Sequence, residues 1–79
     1  MNEEIYEKVI ACIEDACEME FTDITASSRL REDLQMDSLK MIMFQIRLED
    51  EFAFSFDPME EMADIFFSVE SVCKYIENR

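Results

Sequence analysis

The sequence predicts an all-α fold: a small four-helix bundle with a long loop between helices 1 and 2 and a short third helix. Three observations carry that expectation. Apolar residues recur at three- and four-residue steps along most of the chain. Helix-capping residues stand at Asp37 or Ser38, at Asp57 and at Ser68, each just ahead of such a pattern. The one alternating run, FAFSF at residues 52–56, has no partner strand in sight. Residues 1–79 show no repeat and no linker, so they read as a single domain with a modest core.

The first helix is expected from about Glu3 to Cys17, where Ile5, Val9, Cys12, Ile13 and Ala16 share one face. Glu3 and Glu4 suit the positive end of its dipole. Residues 19–36 lose the period and carry turn formers at Thr22, Asp23, Thr25, Ser27 and Ser28. Ile24, Leu30 and Leu34 are the expected anchors of this long loop, whose length suggests a functional connection. The second helix should begin at Asp37 or Ser38 and run to about Phe52. The FAFSF segment is expected to be an extended connector with Phe54 and Phe56 buried. Asp57 and Pro58 should open the third helix as cap and first residue, with Glu60 completing a capping box and Met62, Ile65 and Phe66 facing inward. Ser68 should cap the last helix, in which Val69, Val72, Cys73 and Ile76 are apolar at helical spacing.

The second helix carries two apolar stripes where a surface helix needs one. Met41, Phe44, Leu48 and Phe52 form one; Leu39, Ile42, Met43 and Ile46 form the other. The first stripe is assigned to the core. The second is either more core, covered by the loop and the third helix, or an exposed face for a partner. Ile42 is left open between the two, and exposure is expected to be clearest at Met43.

Composition removes many functions. There is no histidine and no glycine. The common nucleophile–base triads and imidazole metal sites are therefore missing, as are glycine loops for phosphates. Glu60 and Glu61 are neighbours on a helix, so their side chains diverge instead of flanking a substrate. The acidic clusters lack the spacing of a calcium loop, and no metal site is expected. The expectation is that the chain is not an enzyme. Twenty acidic residues against seven basic ones give a formal charge of −13. Such a surface repels nucleic acid and anionic membrane and favours basic protein surfaces. No apolar run is long enough to span a bilayer, and the start, MNEEIYEK, does not resemble a targeting segment. Three cysteines without CxxC spacing read as reduced, buried thiols of a cytoplasmic protein.

Read locally, Ser38 is a helix cap. Read with its surroundings, it is more. The run ITASSRLREDLQMDSL, from Ile24 to Leu39, resembles the signature of the acyl carrier proteins, the phosphopantetheine-binding carriers. Glu32, Asp33, Leu34, Asp37, Ser38 and Leu39 match it position by position. Leu48 and the acidic run Glu49-Asp50-Glu51 before Phe52 are similar to the end of that family's second helix. Val69, Tyr75 and Ile76 are similar to its last helix, so the resemblance covers nearly the whole chain.

The resemblance implies that a phosphopantetheinyl transferase attaches 4'-phosphopantetheine to Ser38, with Asp37 beside it helping to orient the transferase or its metal ion. It implies that Leu39, Met43, Ile46, Glu49 and Asp50 dock acyl-loading and acyl-processing enzymes that present basic surfaces. It also implies an acyl pocket between the second and third helices, lined by Phe44, Leu48, Phe56, Met62, Ile65 and Phe66. The expected function is the carriage of acyl thioesters for fatty-acid, polyketide or related biosynthesis, by a monomer. Two alternatives stay open: an aminoacyl, peptidyl or D-alanyl carrier, and an unmodified acidic interaction module. The chain departs from the family pattern in four ways. Gln35 and Met36 fill a gap where glycine is common. Lys40 and Arg47 add positive charge to the docking helix. Met43 replaces an expected acid. The third-helix region is about two residues longer than the common pattern. These departures point to dedicated partners.

Overall fold

A computed structural model describes residues 2–79. They form four helices: α1 (Glu3–Cys17), α2 (Ser38–Glu51), α3 (Met62–Ile65) and α4 (Val69–Glu77). No strand is present among the described residues; a lone bridge pairs Arg29 with Ser68. The all-α architecture, the long first loop and the short third helix are as the sequence predicts. Val9, Cys12, Ile13 and Ala16 of α1 meet Phe44 and Leu48 of α2 and Val69, Val72 and Cys73 of α4 in one continuous core.

The long loop is fixed by hydrogen bonds as well as by packing. Its Leu30 N–H donates to the Phe67 carbonyl, and its Ser28 and Ala26 carbonyls accept from Val69 and Glu70. The loop is thereby stitched to the α3–α4 junction. Leu30 is fully buried, and Ile24 and Leu34 pack partly buried against the core. Met36, which sequence reading treated only as a gap filler, is buried too.

The chain has no glycine, yet three of the described residues sit in the left-handed region: Glu18 (φ 55°), Gln35 (φ 54°) and Ala53 (φ 52°). Glu18 and Ala53 end α1 and α2 in the same way. Met19 N–H returns to the Glu14 carbonyl, and Phe54 N–H to the Glu49 carbonyl. These are Schellman closures, which normally place glycine at the left-handed position. The same two glutamates reach further with their side chains. Glu14 Oε2 accepts the Phe21 N–H at 3.0 Å and Glu49 Oε2 accepts the Phe56 N–H at 2.8 Å. Each helix end is thus clamped to the connector that leaves it.

The third helix departs from expectation. Asp57 Oδ1 accepts the Met59 N–H at 2.9 Å, and the Asp57 carbonyl accepts the Glu60 N–H at 3.0 Å. Asp57-Pro58 therefore opens a closed turn, with Asp at its first position and Pro at its second, a pairing that suits a turn as well as a helix start. The helix begins only at Met62, after Glu61, whose side chain makes no cap, and the Glu60 capping box does not form. Ser68 does cap α4, in a reciprocal box with Ser71.

Candidate functional site

The start of α2 divides its labour between two adjacent residues. Asp37 is the cap: its Oδ1 accepts the Lys40 N–H at 2.9 Å. Ser38 is the first helical residue, and it is exposed. Its hydroxyl takes no part in the cap, and the Ser38 and Leu39 amides have no intrahelical partner. An exposed hydroxyl therefore sits beside unpaired amides at the positive end of a helix dipole, which suits a phosphodiester.

The approach to Ser38 is set by Gln35. Its left-handed turn drops Met36 into the core, where the Met36 N–H meets the Leu30 carbonyl at 3.0 Å. Asp37 and Ser38 then emerge at the surface. Holding a non-glycine residue there costs about 1–2 kcal/mol. Upstream, Arg29 and Asp33 form a clasp. Asp33 accepts the Arg29 backbone N–H at 2.8 Å and guanidinium bonds at 3.2 and 3.3 Å, while Glu32 pairs with the remaining guanidinium nitrogen. These bonds hold the Asp33 carboxyl below the usual carboxylate range and push Arg29 up. Glu32 and Asp33, singled out in the sequence signature, thus brace the loop that leads to Ser38.

The outer face of α2 is apolar. Leu39 is 66 %, Ile42 56 % and Ile46 58 % exposed. Met43 is not the most exposed residue of this face; it packs partly buried against the core. Helix geometry explains the correction. Each residue turns the helix by about 100°, so Met43 lies on the flank of the face headed by its neighbour Phe44, whereas Ile42 and Ile46 lie nearly opposite. Glu49 is half-buried, and its Oε2 accepts the Phe56 N–H, which ties one carboxylate oxygen to the connector. Asp50 is exposed.

The expected pocket also shifts. Phe44, Phe56 and Phe66 form an aromatic cluster, with Phe44–Phe66 centroids 5.2 Å apart and Phe56–Phe66 5.4 Å apart. Phe44, Leu48 and Phe56 are buried in the core and do not line the cavity. Ile65 lines a separate hollow on the α4 side, with Ser71, Lys74 and Tyr75. The aromatic rings fill the expected space, and a cavity of about 340 Å³ opens instead toward the loop. Met62 and Phe66 of the expected set do line it. Met41, Ala63 and Phe67 complete its apolar wall, and Arg29, Arg31 and Glu32 its rim. Sequence reading missed these last residues. Met41 lies one turn along α2 from Ser38, on the same side of the helix, so spacing could have placed it there.

A family model described as a phosphopantetheine attachment site matches residues 7–76. The chain belongs to the phosphopantetheine-binding carrier family. Members of this family carry a covalently attached 4'-phosphopantetheine group and work with phosphopantetheinyl transferases and partner enzymes. The residues of this carrier fit that group at the start of α2, where an exposed hydroxyl meets free amides. No helix of the described residues is long and apolar enough to cross a membrane, and no group of three metal-type ligands occurs among them. The three cysteines are free and buried. Burial, helped by nearby carboxylates, pushes the Cys12 and Cys73 thiols up to about 11.

Proposed function

We propose that the protein is an acyl carrier modified at Ser38. The observation that carries this reading is the division of labour at α2: Asp37 makes the cap, which leaves the Ser38 hydroxyl exposed and uncommitted. In the transferase reaction, Ser38 Oγ attacks the phosphorus that bears the pantetheine half of coenzyme A. The bond to adenosine 3',5'-bisphosphate breaks, and the serine proton passes to a base of the transferase. Once attached, the group supplies a terminal thiol that holds the cargo as a thioester. Asp37 keeps the helix start rigid and marks it for the transferase. The carrier needs no acid or base of its own, consistent with a role other than that of an enzyme.

The cavity beside Met41 favours an acyl cargo over an aminoacyl one, because its walls are apolar. Fatty-acid, polyketide or related synthesis fits such a cargo. Leu39, Ile42 and Ile46 form the docking face for acyl-loading and acyl-processing enzymes, with Asp50 as the nearest free acid for their basic surfaces. The protein works as a cytoplasmic monomer, without nucleic acid or membrane as partner.

Intact mass after incubation with coenzyme A, magnesium and a broad-specificity phosphopantetheinyl transferase tests the assignment. The expected result is a gain of one phosphopantetheine that Ser38→Ala abolishes. A folded protein that gains no mass, or gains it equally in Ser38→Ala, would overturn it.

A further inference from the structure

We propose that the cavity beside Met41 selects acyl groups ending in a second carboxylate, which Arg31 holds at its edge. This rests on the reading of Ser38 as the attachment residue. The cavity has two chemically distinct parts. Met41, Met62, Ala63, Phe66 and Phe67 make a wall that suits hydrocarbon, and Arg29 and Arg31 stand at the edge.

The two arginines are not equivalent. All three guanidinium nitrogens of Arg29 are engaged: Nε and Nη2 by Asp33, and Nη1 by Glu32. Those bonds also occupy the carboxylates of Glu32 and Asp33. Arg31 is exposed and forms no ion pair among the described residues. A guanidinium with its donors uncommitted therefore borders an apolar hollow.

The surroundings sharpen the choice. A net charge of −13 disfavours an anionic guest almost anywhere on this molecule. At the cavity edge the charge of Arg29 is offset by Asp33 and Glu32, and Arg31 adds a cation that no ion pair among the described residues takes up. A plain hydrocarbon chain gains nothing from a guanidinium at its far end beyond contact with the side-chain stem. A terminal carboxylate gains a bidentate, charge-assisted pair. Met41 is three residues from Ser38, about 4.5 Å along the helix axis, so the apolar wall starts within one helical turn of the residue that would bear the arm.

The test uses the full chain loaded by a permissive transferase from two coenzyme A thioesters of equal carbon count, hexanoyl and adipoyl. Intact mass reports loading, NMR follows the Arg31 Nε–H and the Met41, Met62 and Ala63 methyls, and cleavage by hydroxylamine reports thioester protection. The expected result is that both cargoes shift the methyls and only adipoyl shifts the Arg31 Nε–H. Adipoyl should also be cleaved about threefold to fivefold more slowly, the scale of one partly exposed carboxylate–arginine pair. Arg31→Gln should erase that difference between the two cargoes. Successful loading with equal rates in the wild-type protein, or a difference that survives Arg31→Gln, overturns the selectivity and leaves the carrier reading standing. Failure to load either cargo at Ser38 overturns both.

Discussion

Ala53 occupies a backbone conformation that its own side chain disfavours. At φ 52° it closes the end of α2, and Gln35 at φ 54° makes the turn before Asp37. A β-carbon in this region costs about 1–2 kcal/mol, part of which glycine gives back through its greater freedom in the unfolded chain. Ala53→Gly should therefore stabilise the protein by roughly 0.5–1 kcal/mol. Ala11→Gly, at an exposed site inside α1, should destabilise it by about 1 kcal/mol. Urea midpoints moving in opposite directions for the two variants would confirm the strain; a lower midpoint for both would refute it. Two buried thiols add a pH dependence of their own. Cys12 and Cys73 titrate near 11 in the folded protein, against an ordinary 9.0. Between those values the unfolded chain has lost protons that the folded chain keeps. Stability from this source is thus fully present below pH 9 and is lost as pH rises through about 11. Serine at both positions should flatten the fall of melting temperature between pH 8.5 and 10.5, and an unchanged slope would rule the thiols out as its cause.

At the scale of elements, α2 is the helix with two apolar faces, one buried and one exposed, and it shows what the sequence could and could not reveal. Phe44 and Leu48 face the core with no exposure, while Ile42 and Ile46 face outward. Phe44→Ala should cost about 3–5 kcal/mol, because it opens a cavity between Phe66 and the α1 side chains. Ile46→Asp should leave stability within about 0.5 kcal/mol while slowing loading by a partner enzyme. Equal thermal shifts for the two variants, with equal loading, would place both residues in the core. The two faces were legible from periodicity. A two-stripe pattern hides the place of Met43, which lies about 100° from Phe44 and so on the flank of the buried face. The starts of α1, α2 and α4 were legible because Asp37 and Ser68 act locally and the acidic first turn of α1 does too. The third helix was not, because Asp-Pro signals a turn and a helix start equally, and the choice between them rests on the packing of residues 57–61. The cavity was illegible for a related reason. Counting phenylalanines could not tell whether they line a space or fill it; here Phe44 and Phe56 fill it, while Phe66 packs against both and lines the cavity. Glu49 read as a surface acid, and only the path of the connector reveals that its carboxylate holds the Phe56 amide.

The whole molecule carries a formal charge of −13 within principal extents of 30 × 27 × 20 Å. Its ion pairs among the described residues are few, exposed and local, joining residues three or four apart: Lys8–Glu4, Arg29–Glu32, Arg29–Asp33 and Lys74–Glu70. Pairs of this kind contribute well under 1 kcal/mol each and do little against repulsion spread over the surface. The screening length decides how much of that repulsion is felt. At 0.01 M salt it is about 30 Å, as long as the molecule, so every carboxylate senses every other. At 0.15 M it is about 8 Å, and only near neighbours interact. Salt should therefore stabilise the fold, because it weakens long-range repulsion more than it weakens a few short ion pairs. Melting temperature should rise by several degrees between these two salt concentrations and then level off. The same addition should slow association with any partner that presents a basic surface, because steering depends on the field that salt removes. Stability and docking rate are thus expected to move in opposite directions with ionic strength. A melting temperature that is flat or falls over this range would mean that the local ion pairs, not the net charge, govern the electrostatics of the fold.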